Sequence, residues 1–321
     1  MKKALIIGLN DYPEYELQCC TNDATAISEL LTANGDGSPN FEVLTITDSC
    51  SKSKLEGAIE LLFSDDADIA LLYFSGHGSN RDGGYLCTTD YKEYLGVKMN
   101  DILELANNSK CKNKVIILDC CFSGVMGDVA SLNNNSVLGD GVTIIAASQR
   151  WQSSMESFEK KHGIFTELLI QGLRGGAADI GGNITPASLY SFVDQSLGAW
   201  QQRPVFKTNI SQFLPLRTIL PRVPKSVLRK LCKYFENSTD EYPLNPSYEY
   251  TNTPDIKHEI IEPYADSRNV EIFKDLQLFE SVGLIEPVGT EHMYFAAMES
   301  KSCKLTALGL HYWRLSKDKR F

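Results

Sequence analysis

The sequence predicts an α/β domain built around a mostly parallel sheet, followed by a second, smaller α+β domain. Short apolar runs rich in Val, Ile and Leu occupy residues 4–8, 43–46, 69–74, 115–118 and 142–147. Continuous runs of this kind are typical of parallel strands that are buried on both faces. Segments with helical apolar spacing occupy residues 23–31, 54–63, 99–106, 163–173 and 186–193. This alternation predicts three layers, with helices on both faces of the sheet, and we expect Asn22 to cap the first helix.

Prolines mark the end of this alternation. Pro215, Pro221 and Pro224 interrupt the chain, and the strand–helix pattern stops after them. We therefore predict a first domain at 1–216, a linker at 217–225 and a second domain at 226–321. Apolar spacing in the second domain predicts a helix at 227–235, an amphipathic helix at 270–282, a hairpin that runs from 283–285 into 293–295, and a last helix that opens at 305–309.

Charge and composition exclude several classes of partner. The chain has 31 Lys and Arg against 41 Asp and Glu, a net charge of -10, and the second domain alone has 12 basic against 15 acidic residues. Such a chain repels phosphate backbones, so we expect no nucleic-acid partner. The longest apolar stretch, at 69–74, is too short to cross a membrane, and the run at 4–8 is too short for a signal peptide. Nine cysteines without a CxxC pair predict free thiols and a cytoplasmic location.

Reactive side chains follow two of the predicted strands. The strand at 69–74 runs into the His77–Gly78 pair, and the strand at 115–118 runs into Cys121. Functional residues of open α/β sheets gather beyond the carboxyl ends of the strands, so we expect His77 and Cys121 to meet. An imidazole supports formation of the nucleophilic thiolate and protonates a leaving amine. The amides of Gly78 and Cys121 could bind the oxyanion of a tetrahedral intermediate, and the sequence thus predicts a Cys/His dyad.

Two motifs carry a specific resemblance to a known family. YFSGHG at 73–78 and DCCFSG at 119–124 resemble the active-site motifs of caspase-like cysteine peptidases of the peptidase C14 type, in their metacaspase and bacterial branch. Further matches are ALIIGLNDY from Ala4, CCTNDA from Cys19, DGGYLCTTD from Asp82, IIAAS from Ile144, GIFTELLIQGL from Gly163 and RPVF from Arg203. The resemblance covers about residues 1–216 and implies a caspase-like three-layer αβα sandwich with thiol protease activity. The second domain resembles a winged-helix module only in its short helix–hairpin–helix pattern.

The resemblance also implies a role for each reactive residue. By the family pattern His77 is the general acid/base, Cys121 is the nucleophile and Cys120 is structural. Phe122 departs from the histidine that metacaspases often have there, and it does not touch the dyad.

Acidic residues predict the specificity of cleavage. Asp119 stands two residues before the nucleophile, where animal caspases place a glutamine, and Asp23 matches an acidic position of metacaspases. Two carboxylates in one pocket repel an acidic side chain and pair with arginine, so we expect Arg to be preferred over Lys. Family analogy adds Cys20 and Ser75 to this S1 pocket. The alternative for Asp23 is a first-turn charge favoured by the helix dipole.

Calcium activates some metacaspases through a cluster of aspartates. Here Asp90, Asp101 and Asp128 are the only remnants, and a hard cation requires about six to eight oxygens, so we expect no required metal and disfavour calcium. We interpret His162, His258, His292 and His311 as ordinary surface or core histidines. Trp151 follows IIAAS at a place where the caspase fold lines the substrate cleft, and a core tryptophan is an equal alternative.

The second domain has two open interpretations, a small-molecule sensor or a protein-interaction module. Aromatic residues at 242–250 and 292–295 could stack a nucleotide-like activating ligand, although packing in a small core explains them equally well. The resemblance implies a bacterial antiviral defence or cell-death effector that a signal on this domain controls. The alternative for the whole protein is a caspase-fold scaffold or ligand-binding protein without turnover.

The linker after the nucleophile constrains activation. Animal caspases mature by cleavage in this linker, but residues 122–149 contain neither Lys nor Arg. A protease specific for basic residues cannot cut itself there, so we expect control by another route.

Overall fold

The computed structural model describes residues 1–121, 128–129, 135–147, 161–197, 203–210, 212, 214–251, 257–262 and 265–320, with the backbone alone described at 128–129 and 135–136. The chain divides into two compact units, Met1–Leu220 and Pro221–Phe321. None of the helices in the described residues combines the length and the apolarity needed to cross a bilayer.

The first unit alternates strands and helices along most of its length. Its elements in chain order are β1 (Lys2–Gly8), α1 (Cys20–Thr32), β2 (Glu42–Ile46), α2 (Lys52–Ser64), β3 (Ile69–Ser75), β4 (Gly78–Ser79), β5 (Tyr85–Cys87), β6 (Gly96–Lys98), α3 (Met99–Asn108), β7 (Asn113–Asp119), β8 (Asp128–Val129), β9 (Asn135–Ser136), β10 (Val142–Ala146), α4 (Ile164–Gln171), β11 (Asn183–Ile184), α5 (Pro186–Ser196), β12 (Val205–Asn209) and β13 (Arg217–Thr218).

The central sheet has six strands in the order β12-β10-β7-β3-β1-β2. All neighbours pair in parallel except β12, which runs antiparallel to β10. This confirms the predicted α/β fold with a mostly parallel sheet. The edge strand β12 was not predicted, because its residues beyond Phe206 are polar and give no apolar run.

Side chains alternate between two apolar layers, one on each face of the sheet. Leu72, Phe74 and Leu118 belong to the layer that α2 and α3 cover. Leu71 and Tyr73 belong to the layer that α1, α4 and α5 cover. Because successive residues of a strand point to opposite faces, every strand of the interior contributes to both layers. The two faces are called the α2/α3 face and the α1/α4 face below.

Helix α1 begins earlier than predicted. Its N-cap is Cys19, so the expectation that Asn22 caps the helix is wrong and Asn22 lies in the first turn. This first turn packs closely on β1, where a Cβ on Gly8 would lie 2.0 Å from the carbonyl oxygen of Cys20. The first turn of α1 therefore contacts the strand directly, and it carries Cys20 and Asp23 to the carboxyl end of β1.

The second unit combines short helices with a three-stranded antiparallel sheet in the order β14-β16-β15. Its elements are α6 (Lys225–Leu228), α7 (Leu231–Tyr234), β14 (Glu241–Pro243), α8 (Ser267–Ser281), β15 (Ile285–Val288), α9 (Met293–Met298), β16 (Ser302–Leu305) and α10 (Ala307–Lys317). The predicted helix at 227–235 is thus two short helices.

The predicted hairpin is wrong in its second strand. Residues 293–298 form helix α9, in which Met293, Ala296 and Ala297 are buried at helical spacing, and the strand that pairs with β15 is β16. A helix is therefore inserted in the segment on which the winged-helix resemblance depends, and that resemblance is not confirmed.

Aromatic rings fill much of the core of the second unit. Tyr242 lies edge-on to Phe235 and Tyr248, and Tyr248 lies edge-on to Phe273. The hydroxyls of Tyr242 and Tyr248 are 3.2 Å apart, and burial raises the pKa of Tyr242. Packing accounts for these two tyrosines of the 242–250 segment.

Candidate active site

The carboxyl ends of β3 and β7 lie side by side at one edge of the sheet. Ser75, the last residue of β3, is the register partner of Asp119, the last residue of β7. Beyond this pair the amide of Gly76 donates a hydrogen bond to the carbonyl oxygen of Asp119 at 3.3 Å. The segments that leave the two strands therefore begin at the same place.

Gly78 brings these two segments into contact. A Cβ on Gly78 would lie 2.1 Å from the carbonyl oxygen of Cys121 and 3.2 Å from Sγ of Cys120. No side chain fits in that space, so the glycine permits the histidine-bearing segment to pack directly on the cysteine-bearing segment. This contact joins the two strand ends that the sequence analysis expected to meet.

The imidazole of His77 is held by the loop that follows β1. Its Nε2 lies 2.7 Å from the carbonyl oxygen of Tyr15. A carbonyl only accepts hydrogen bonds, so Nε2 carries the proton and Nδ1 of the neutral ring is left as an acceptor.

Tyr12 fixes the same imidazole from a second side. Its ring lies edge-on to the ring of His77 with centroids 4.6 Å apart, and its hydroxyl accepts a hydrogen bond from the amide of His77 at 3.2 Å. The same hydroxyl donates to the carbonyl oxygen of Cys87 at 3.0 Å. Burial raises the pKa of Tyr12 well above its usual value, so this donor stays protonated.

The two adjacent cysteines have different environments. Cys120 is completely buried, and this burial raises the pKa of its thiol well above the usual value. Cys121 is partly exposed at the edge of the sheet. A buried, protonated thiol is unreactive, so the accessible sulfur of the pair belongs to Cys121.

The predicted S1 residues lie together on the α1/α4 face. Asp23 and Asp119 are 1% and 9% exposed, and Cys20 and Ser75 are buried as well. The hydroxyl of Ser75 donates to Oδ2 of Asp23 at 3.2 Å. Cys20 lies one helical turn before Asp23 in α1, so both side chains lie on the same face of that helix.

The two carboxylates approach one point at the start of α4. A Cβ on Gly163 would lie 3.1 Å from Oδ2 of Asp119 and 3.4 Å from Oδ2 of Asp23, which places the two oxygens within about 6.5 Å of each other. Thr166 donates to Oδ2 of Asp119 at 2.7 Å, and its hydroxyl lies 2.6 Å from the hydroxyl of Tyr73. Burial, followed by the charges of Asp23 and Asp119, raises the pKa of Tyr73 well above its usual value.

Comparison with protein families matches this part of the chain. The family model described as caspase domain matches residues 1–214, the part that holds the six-stranded sheet and both strand ends. The chain belongs to the caspase-domain family. It is therefore a cysteine-type peptidase, a hydrolase whose substrates are proteins or peptides. No curated protein matched the sequence.

His162 is a residue of this caspase domain that sequence reasoning missed. Its Nδ1 lies 2.9 Å from Oδ1 of Asp23, a partner that the interpretation of His162 as an ordinary surface or core histidine did not include. The next amide, that of Gly163, donates to the same oxygen at 3.3 Å. Burial lowers the pKa of His162 below its usual value. The signal in the sequence was its position directly before the GIFTELLIQGL match, of which Gly163 and Thr166 also contact the acidic pair.

Asp90, one of the three candidate metal ligands, is hydrogen-bonded within the protein. Both carboxylate oxygens of Asp90 accept hydrogen bonds from the amide of Lys52 at 3.1 and 3.2 Å, and one also accepts from Thr88 at 2.6 Å. Asp101 lies in α3, and the side chain of Asp128 is outside the described residues. Within the described residues no three His, Cys, Asp or Glu side chains form a group that could hold a metal ion. Phe122 and Trp151 also lie outside the described residues.

Proposed function

We propose that the protein is a cysteine endopeptidase that cleaves after basic residues, with Arg preferred over Lys, through Cys121 and His77. The observation that supports this specificity most directly is the buried pair of Asp23, in the first turn of α1, and Asp119, the last residue of the strand that precedes Cys121. A basic side chain is the substrate group that offsets two neighbouring negative charges.

In this proposal the dyad transfers the acyl group in two steps, acylation of the cysteine and hydrolysis of the acyl-enzyme. In the first, Nδ1 of His77 takes the thiol proton of Cys121, the sulfur attacks the carbonyl carbon, and the amides of Gly78 and Cys121 donate to the oxyanion. The C–N bond then breaks, and His77 gives the proton to the leaving amine. In the second, water attacks the thioester with His77 as base, the C–S bond breaks, and the sulfur regains its proton.

The protein groups around the carboxylates favour arginine over lysine. Asp23 is held in place by hydrogen bonds with Ser75, His162 and the amide of Gly163. Asp119 is held by the hydroxyl of Thr166. A planar guanidinium donates to two fixed carboxylates at once, whereas an ammonium acts as one point charge. We expect a substrate with aspartate at the cleaved position to be refused, because a third buried carboxylate would be unpaired.

Peptides that differ only at the cleaved residue test this specificity. Fluorogenic substrates with Arg, Lys or Asp at that position should be cleaved in that order by the wild type, and D119N should lose most of the advantage of Arg. D66N is a matched control, because Asp66 is exposed and precedes β3, at the opposite end of that strand from Ser75. A preference of the wild type for Asp or for an apolar residue contradicts the proposal.

We also propose that the second unit receives the signal that controls the protease, as in a bacterial antiviral defence or cell-death effector. On α9, Phe295 is exposed and lies beside Tyr294 and His292, so these rings could stack a nucleotide-like ligand. The nine free thiols are compatible with a cytoplasmic location. A panel of nucleotide second messengers, with calcium as a further arm, tests this role: stimulation by one of them, lost in F295A, is the expected result.

The second candidate function is a caspase-fold scaffold or ligand-binding protein without turnover. The observation that favours it is that Asp23 is 1% exposed and already has Ser75, His162 and the amide of Gly163 as hydrogen-bond partners, so its carboxylate is satisfied without a substrate. A thiol-reactive peptide probe that ends in arginine decides between the two functions: labelling that disappears in C121A but persists in C120A supports the enzyme.

A further inference from the structure

A cleft of about 210 Å³ opens directly beside His77 on the α2/α3 face. It is lined by Tyr12, Tyr15, His77, Gly78, Cys87 and Tyr91. Small-molecule sites usually measure about 300–1,000 Å³, so this cleft has the size for a single side chain. It shares His77 and Gly78 with the proposed catalytic machinery, and none of the predicted S1 residues lines it.

Two loops form the walls of this aromatic cleft. Tyr12 and Tyr15 come from the loop after β1, and Tyr91 comes from the segment after β5, with centroids 6.3 and 6.4 Å from those of Tyr12 and Tyr15. The hydroxyl of Tyr91 donates to the carbonyl oxygen of Pro13 at 2.5 Å, which ties one loop to the other.

The polar atoms of this lining are largely satisfied inside the protein. Burial raises the pKa of Cys87 to about 11, so its thiol is neutral at pH 7. The hydroxyls of Tyr12 and Tyr91 both donate to backbone carbonyls. The cleft therefore offers ring faces and a neutral thiol to an occupant, which favours an aromatic or large apolar side chain.

Opposite faces of the sheet hold the aromatic cleft and the acidic pair. Tyr12 and Cys87 belong to the apolar layer of the α2/α3 face, whereas Asp23 is on α1 and Thr166 is on α4. Successive side chains of an extended peptide also point to opposite sides. A substrate whose basic residue reaches Asp23 and Asp119 thus directs its next side chain toward the tyrosines.

We infer that the aromatic cleft is the subsite for the residue that follows the cleaved bond, and that it selects an aromatic or large apolar side chain there. This inference rests on the proposed function, because it uses His77 as the group that protonates the leaving amine. That amine belongs to the residue after the bond, so its side chain starts beside the imidazole and enters the cleft that the imidazole lines.

Peptides with arginine before the bond and Phe, Leu, Gly or Asp after it test the subsite. Burial of a Phe side chain should raise kcat/KM at least about tenfold over Gly, and Asp should be the poorest. Y91A should reduce the ratio of kcat/KM for the Phe peptide to kcat/KM for the Gly peptide severalfold. Y91F keeps the ring, so this ratio should stay close to that of the wild type. Y94A is the matched control, because Tyr94 lies in the same loop, is exposed and does not line the cleft.

A second measurement separates this inference from the proposed function. Phenylalaninamide or glycinamide added during turnover competes with water for the acyl-enzyme. The yield of each transfer product therefore reports binding only at the subsite for the residue after the cleaved bond. A higher yield with phenylalaninamide, reduced in Y91A, supports the subsite. Equal yields together with equal cleavage of the Phe and Gly peptides overturn it and leave arginine-directed cleavage intact. Failure to cleave any arginine peptide refutes the proposed function itself.

Discussion

The imidazole Nδ1 of His162 lies 2.9 Å from Oδ1 of Asp23, so a histidine contacts a carboxylate that we propose binds the basic group of the substrate. The contact joins residues 139 positions apart and is made at the start of α4. His162 therefore orients Asp23, and it does so with a ring whose charge depends on pH.

Replacement of His162 should affect binding of substrate more than turnover. H162A removes one donor from a buried carboxylate, and a hydrogen bond to a charged group contributes about 1.5 kcal/mol or more, so KM for an arginine peptide should rise roughly tenfold. H162N places an amide donor near the position of Nδ1 and should restore most of the affinity. An equal loss in both variants, or a loss confined to kcat, would contradict an orienting role.

The same pair predicts how pH acts on substrate binding. Burial lowers the pKa of His162 from 6.5, so the ring is neutral at pH 7 and gains its proton only as pH falls below that value. The positive ring then competes with a guanidinium for Asp23, and KM for arginine peptides should rise toward pH 5. H162N lacks this step, so the difference between its KM profile and that of the wild type isolates the histidine.

The stability of the fold should also decrease as pH falls through the range in which His162 gains its proton. Because the folded pKa is the lower one, the unfolded chain binds the proton first, and stability is lost as pH falls from about 6.5 to the folded value. Thermal unfolding from pH 7.5 to 5.0 should show a decline in the wild type that is smaller in H162N.

The two adjacent thiols should differ completely in function. C121A should reduce turnover by a factor of about 10³ or more, because it removes the proposed nucleophile. C120A leaves the accessible thiol in place and should cost only about 1 kcal/mol of stability through the small cavity. Peptidase assays, and mass spectrometry after alkylation under native conditions, check both variants. Retained activity in C121A would show that the nucleophile is not the sulfur of Cys121.

Gly78 should tolerate no side chain. In G78A the new Cβ would lie 2.1 Å from the carbonyl oxygen of Cys121 and push the two segments apart, and a misplacement near 1 Å lowers catalysis about a hundredfold. Gly57 in α2 provides the control, because a Cβ there meets no atom within 4 Å. G57A should leave activity unchanged and raise stability by about 0.5–1 kcal/mol.

Activation should leave the segment after the nucleophile uncut. Residues 122–149 contain no Lys or Arg, so a protease specific for basic residues cannot process itself there. Deletion of residues 226–321 should instead separate activity from its trigger, because only the differential affinity of a ligand for the active form can shift the equilibrium. Mass spectrometry of fully activated protein checks the first point, and an obligatory cut within 122–149 would refute it.

The sequence predicted what depends on local pattern. Continuous apolar runs located five of the six central strands, and the placement of His77 and Cys121 after two of them defined the candidate site. Strand β12 was missed because a half-exposed edge strand needs no apolar run. Helix α9 was taken for a strand because three residues, 293–295, are too few to distinguish a period of 3.6 from a period of 2.

The missed contacts share another cause. His162 reaches Asp23, and Tyr91 reaches Pro13, only after distant segments have packed together. No spacing in the chain records such a meeting, so local reasoning left His162 as an ordinary histidine and did not detect the aromatic cleft.

The register of β7 against β3 has a consequence for how this protease could diversify. Asp119 ends its strand on the α1/α4 face, while Cys120 next to it belongs to the opposite layer and Cys121 follows at the edge. Under the proposed specificity, a single codon change at 119 would therefore alter which side chain is accepted and leave Cys121, the proposed nucleophile, where it is. A one-residue insertion or deletion in the strand would exchange the two faces and displace both of these proposed site residues at once. New specificities can thus evolve by substitution at position 119 but not by insertions or deletions in β7.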